Sequence, residues 1–129
     1  MATNPAVPYW DEADTITCHA GAAITGKRFV GISGPRIDGN PTVTHAAAAA
    51  AAPSRVGVAA YDAAVGAKVT VYFGHQVMPV TVGAAAVAAG APVGSDATGL
   101  AVAAGANPPL GTAFDDAAVG VDCPVKLSR

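Results

Sequence analysis

The sequence predicts a mainly β protein built from short strands. Three observations carry that reading. The larger apolar residues are dominated by valine, with 17 Val against 4 Ile and 3 Leu. Valine is stiff at χ1 and suits a pleated sheet better than a helix. The chain is punctuated by 15 Gly and 10 Pro, as expected for strands separated by turns. Runs such as Asp14-Thr15-Ile16-Thr17-Cys18-His19 alternate polar and apolar residues, the pattern of a half-buried strand. The apolar fraction of 52% overstates the core, because 32 of those residues are Ala. A chain of 129 residues suits a single domain and can bury a core without a disulfide or a metal.

Residues 1–13 read as an extended arm. Pro5 and Pro8 oppose regular structure, and Tyr9 and Trp10 follow at once. Either this pair caps the protein's own core, or the arm lies on a partner with the aromatics as anchors. Residues 14–129 read as a single β-rich domain. Strands are expected at 14–19, 28–32, 42–45, 55–60, 68–73, 76–82, 92–93, 100–102, 110–114 and 123–127. Ser33 to Pro41 has turn chemistry throughout. Gly74-His75 suggests a tight hairpin between the strands on either side. Pro79 argues for an edge or a bulge. Asp96-Ala97-Thr98-Gly99 reads as a hairpin turn. Seven alanines, Ala46 to Ala52, lie between Thr44, a candidate helix cap, and Pro53. Alanine favours helix, but seven residues do not hold one alone in water, so at most a short helix packed on the body is expected near 45–52.

The chain repeats itself. GVAAYDAAVGAKVTV (57–71) aligns without gaps on GTAFDDAAVGVDCPV (111–125), with identity at Gly57/Gly111, Ala59/Ala113, Asp62/Asp116, Ala63/Ala117, Ala64/Ala118, Val65/Val119, Gly66/Gly120 and Val71/Val125. A weaker match links 21–31 to 84–94. The domain therefore reads as two related halves, about 14–73 and 77–129. The repeated Asp-Ala-Ala-Val-Gly has a structural meaning. Asp caps a turn, and Gly supplies a positive φ before the next strand.

No catalytic, cofactor-binding or metal-binding motif survives inspection. His19, His45 and His75 are far apart and lack ligand spacing, and no Cys neighbours them in a C-x-x-C pattern. Ser33 misses a G-x-S-x-G elbow by one position, and Ala97 interrupts an Asp-Thr-Gly run. Phosphate-loop glycine patterns are absent. Cys18 and Cys123 read as buried small hydrophobes rather than a disulfide. The chemistry expected is none: no enzyme, no cofactor.

Charge narrows the partners. Seven Lys and Arg face nine Asp and Glu, a net charge of −2, with no basic cluster. Nucleic acid and membranes are not expected partners. The start shows no secretory pattern, and Val80–Val93 is too short and too broken to span a bilayer, so the protein is expected to be kept or assembled in a cytoplasm. A charged fraction of only 12% leaves much surface apolar, and such surface tends to meet another protein.

Taken in order, several stretches resemble the small decoration, or cement, proteins of tailed-bacteriophage capsids. They are Ala2-Thr3-Asn4 with Pro8, Asp14 to Thr17, Ala22 to Val30, Val43-Thr44-His45 with the alanine slot, Gly57 to Gly66, Val77 to Gly83 and Ala91 to Gly94. The resemblance covers nearly the whole chain. It implies a compact β domain, barrel-like or tulip-like, with no catalytic residues. It implies a structural protein that binds the outside of the assembled head, with the major capsid protein and copies of itself as partners. It implies an oligomer, commonly a trimer, at local threefold positions on a virion assembled in the bacterial cytoplasm. It also places Thr3, Asn4, Pro5, Val7, Pro8, Tyr9 and Trp10 of the arm at the interface with the shell or an adjacent subunit. Two other readings stand beside it. A glycan- or receptor-binding β module would use Trp10, Tyr61 and Tyr72. A small hydrolase would use the three His and the two Asp.

Overall fold

The computed structural model describes residues 15–46, 55–106 and 108–128. The mainly β expectation holds: these residues form ten strands and no helix. The strands are β1 (Thr15–Ala20), β2 (Phe29–Ile37), β3 (Asn40–His45), β4 (Arg55–Ala59), β5 (Lys68–Tyr72), β6 (Val77–Thr81), β7 (Pro92–Ser95), β8 (Ala101–Ala103), β9 (Gly111–Ala113) and β10 (Asp122–Leu127).

The first five strands close a barrel in the order β1-β3-β2-β4-β5. β1 runs antiparallel to β5, from Thr15↔Tyr72 to His19↔Lys68, and parallel to β3 through His19↔Thr42 and Ala20↔Val43. The strand alternation turns Cys18, Ala20, Val30, Val43, Val69 and Val71 inward, with Ile24 and Ala59 completing the cluster. The last five strands form a sheet in the order β6-β10-β9-β7-β8, and a single parallel bridge, Val82↔Ala101, joins its ends. With β6 to β10 in the roles of β1 to β5, the circuit is that of the first barrel.

The correspondence extends to individual hydrogen bonds. Ile24 and Ala63 exchange both N–H···O bonds, and so do Val87 and Ala117. The Asp62 carboxylate accepts the Gly26 N–H at 2.8 Å, and Asp116 accepts the Ala89 N–H at 2.8 Å. Each repeated aspartate therefore ties its own turn to the loop across from it. Gly66 and Gly120 close those turns at φ 84° and 78°. Facing them, Lys27 and Gly90 hold equivalent positions at φ 61° and 81°. Lysine is a strained choice there.

Two turn expectations are corrected. Ser33 to Ile37 is strand, not turn, because β2 runs on past the barrel and pairs with β3 through two register shifts. Only Asp38-Gly39 turns, with φ of 51° and 79°. The Gly74-His75 hairpin does not form either. β5 pairs with β1 and β4, while β6 pairs with β10, so this segment connects the halves. The local glycine signal was right about a reversal but blind to the partner, which lies some fifty residues further along the chain in β10.

Pro79 does sit on an edge, since β6 pairs only with β10 along its length. The expected helix near 45–52 falls on residues outside those described, apart from His45, which ends β3, and Ala46, which is buried coil. The second hydrophobic cluster crosses between halves. Phe29, Ala46 and Val58 from the first pack with Val80, Val82, Val93, Val125 and Leu127 of the second. The barrel and the second sheet thus share core rather than merely touch.

Candidate attachment surface

The seam between the barrel and the second sheet is polar at its rim. Lys27 projects across it and pairs with Asp122 of β10 at 2.7 Å. Asp122 also accepts the Thr81 hydroxyl at 2.9 Å. The Lys27 hydrogen bond, then that of Thr81, holds the Asp122 carboxyl below its ordinary range, and the same contact raises Lys27. This ion pair gives the strained Lys27 position a use that a glycine could not supply.

A second set of contacts lies around His45. Its Nε2 accepts the Thr25 N–H at 2.8 Å, which requires a neutral imidazole with its proton on Nδ1. Burial holds the ring below its ordinary pKa, the Arg28 charge adds to this, and Asp96 opposes it. The Asp96–Gly99 turn packs against the same place. Asp96 accepts the Thr98 and Leu100 N–H groups, the expected turn capping, and the Gly99 carbonyl accepts the Phe29 N–H. A side chain at Gly99 would meet the Phe29 carbonyl at 2.5 Å.

These groups build structure rather than a reaction centre. Among the described residues, no three His, Cys, Asp or Glu side chains gather where a metal could be held. Asp62 and Asp116 stand in separate halves, each occupied by a backbone N–H. Cys18 lies in one core and Cys123 in the other, both as free thiols. Tyr61, a candidate for glycan stacking, is exposed but has its hydroxyl against Thr70, while Tyr72 is half-buried in β5.

What the surface does offer is apolar side chains. Ile32 and Ile37 are exposed on the long β2–β3 hairpin, which the second half lacks. On the outer face of β6, β10 and β9, Pro79 is paired directly with Pro124, and Phe114 donates its N–H to the Pro124 carbonyl. Pro79 and Pro124 lie side by side on β6 and β10, Phe114 follows the end of β9 next to Pro124, and Val77 lies two residues from Pro79 on β6. Phe114 is 56% exposed and Val77 47%. The equivalent row in the first half is Thr17, Thr70 and Ala60, tied by the matching bond from the Ala60 N–H to the Thr70 carbonyl.

The expected arm residues, Thr3 to Trp10, lie outside the described residues. The apolar row was missed at the level of sequence, although its signal was present. The repeat alignment sets Phe114 opposite Ala60 and Pro124 opposite Thr70, and differences between repeats mark what one half does alone.

The sequence matches the phage cement protein family over residues 9–127. The chain belongs to that family. Its members are structural phage proteins associated with the capsid, which agrees with the lack of catalytic motifs. This cement protein also shares its fold with a solved phage structure, the N base of the head fibre protein gp8.5 of bacteriophage phi29. The TM-score is 0.68 at 20% identity, over 88% of this chain and 92% of that one. No curated protein matches the sequence.

Proposed function

We propose that this cement protein binds the outer surface of the assembled phage head and stabilises it, as an oligomer at local threefold positions. The observation that carries the reading is the family match across 9–127. The physics of the chain supports it. A ligand that binds only the closed shell stabilises that shell by mass action. An oligomeric clamp that engages several shell subunits multiplies modest contacts through effective concentration. A barrel and a sheet with a shared core suit a clamp, because little ordering is required of such a body on binding. Its low charge and exposed Ile32, Ile37, Val77 and Phe114 suit protein partners, the major capsid protein and further copies of itself. The arm residues Thr3, Asn4, Pro5, Val7, Pro8, Tyr9 and Trp10 contribute contacts at that interface. The particle is put together in the cytoplasm of the bacterial host.

The test is to mix purified protein with undecorated mature heads. Saturable, stoichiometric co-sedimentation and a higher temperature of DNA release are expected. Heads that bind no protein, or bind it without gaining heat resistance, would refute the proposal.

A further inference from the structure

His45 is an addition of the first half, placed where the two halves meet. Its register partner is Val30, and the second half sets Ala103 opposite Val93 in the same way. The next residue follows the pattern too. The Ala46 N–H donates to the Phe29 carbonyl at 2.8 Å, and the Ala104 N–H to the Pro92 carbonyl at 2.9 Å. The alanine at 103 shows that the strand itself needs no imidazole at this place. What is particular to His45 is its position under the second half. The β7–β8 turn comes down on Phe29, whose N–H donates to the Gly99 carbonyl at 2.8 Å. A Cβ on Gly99 would stand 3.3 Å from the Arg28 Cβ and 3.4 Å from the His45 Cβ, so the turn lies directly on those two residues.

A proton on His45 would disturb this place in two ways. The neutral ring accepts the Thr25 N–H through Nε2 at 2.8 Å. An imidazolium is a donor at both nitrogens, so the Thr25 N–H would then face another N–H. The charged groups that face the ring are Arg28, in the loop before β2, and Asp96, in the β7–β8 turn. The Arg28 guanidinium holds the Thr98 carbonyl of that turn at 3.4 Å, and its Nε is buried with no partner among the described residues. A second cation beside it is repelled. Asp96 attracts the imidazolium, but its Oδ1 already accepts the Thr98 N–H, the Thr98 hydroxyl and the Leu100 N–H. Drawing that carboxylate to the ring would loosen the turn it caps. Burial of the ring and the Arg28 charge outweigh Asp96 and hold the His45 pKa below its ordinary 6.5.

We propose that His45 is an acid-sensitive latch on the seam: neutral, it holds the Thr25 loop and seats the β7–β8 turn, and protonated, it releases both and loosens the two halves from one another. The sign follows from linkage. A histidine whose folded pKa lies below its unfolded one contributes in full above pH 6.5, and that contribution is lost as pH falls through the folded value. The latch is therefore closed at neutral pH and opens in acid. The inference does not depend on the capsid reading, and its test uses no capsid.

The full wild-type chain is compared with His45→Gln and His45→Ala across pH. Glutamine brings a carbonyl oxygen that can replace Nε2 as acceptor and does not titrate. Alanine is the residue that the second half carries at the same register, so this fold accommodates it even if the glutamine variant fails to fold. Denaturant unfolding reads stability, and hydrogen exchange at the Thr25 and Phe29 amides, scaled to intrinsic rates, reads the latch. The stability of the wild type relative to either variant should be constant above pH 6.5 and fall below it. Over the same interval the wild type should lose protection several-fold at both amides. His45→Gln should keep both, and His45→Ala should protect Thr25 weakly at every pH. The His45 ring resonances, identified by their loss in the variants, should titrate below 6.5. Titration at or above that value overturns the proposal. So does a wild-type pH profile that the variants share. Loss of protection at Thr25 alone, with Phe29 unchanged, would confine the effect to the loop and overturn the assignment to the seam.

Discussion

Cys18 and Cys123 show how single residues follow the duplication. Cys18 is the register partner of Val69, and Cys123 is the partner of Val80. The two halves therefore bury the same Cys–Val pair with the strands exchanged. Burial pushes the Cys18 thiol up to about 11, and raises Cys123 as well. Neither thiolate forms to a useful extent near neutral pH. A thiol reagent at pH 7 should label neither cysteine in the folded protein and both after denaturation. Cys18→Val sets a larger side chain against Val69 in a filled core, where Val80 faces the smaller Cys123, and should cost about 1–3 kcal/mol, as overpacking does. Thermal or denaturant unfolding checks it.

Lys27 and Asp122 carry the pH dependence expected at this scale. The folded Asp122 pKa lies below its ordinary 3.8, so its contribution is present above that value and fades as pH falls through the folded pKa. The folded Lys27 pKa lies above its ordinary 10.5, so its contribution is present below that value and fades as pH rises further. The stability difference between wild type and Asp122→Asn should be flat at neutral pH and shrink in acid and again in strong base. Both side chains are well exposed, so added salt should reduce the difference too.

At the scale of elements, the repeated turn is the unit that the sequence displayed most clearly. Asp62 and Asp116 each hold a backbone N–H of the opposing loop at 2.8 Å. Replacing either by Ala should cost about 1 kcal/mol, the usual net worth of such a bond. The double variant should cost the sum, because the two sites share no partner. Denaturant titration of the two single variants and the double variant measures this. Strand positions were legible for the same reason the repeat was: valine alternation and glycine punctuation are local signals. Pairing was not legible. Gly74-His75 looked like a hairpin because the sequence shows where a chain reverses, not which strand it meets afterwards. Ser33 to Ile37 looked like turn because Gly, Pro and Ser dominate it, whereas a bulged strand on a projecting hairpin tolerates them. The apolar row was hidden because no single strand carries it. Pro79, Pro124 and Phe114 come together only through the β6–β10–β9 register.

At the scale of the whole molecule, a closed barrel and a sheet of the same strand order share a core through Phe29, Ala46 and Val58. That arrangement makes a stiff body. Deleting residues 1–10 should leave a folded body, seen as unchanged circular dichroism and cooperative unfolding, while weakening attachment to heads. Global unfolding of the truncated chain would instead make the arm part of the core. The central claim is that this β body sits outside a capsid as a cement. A density map of heads saturated with the protein tests it most directly. It should show density for the two packed β halves on the outer surface at local threefold positions. Density inside the shell, or none ordered on it, would contradict the account.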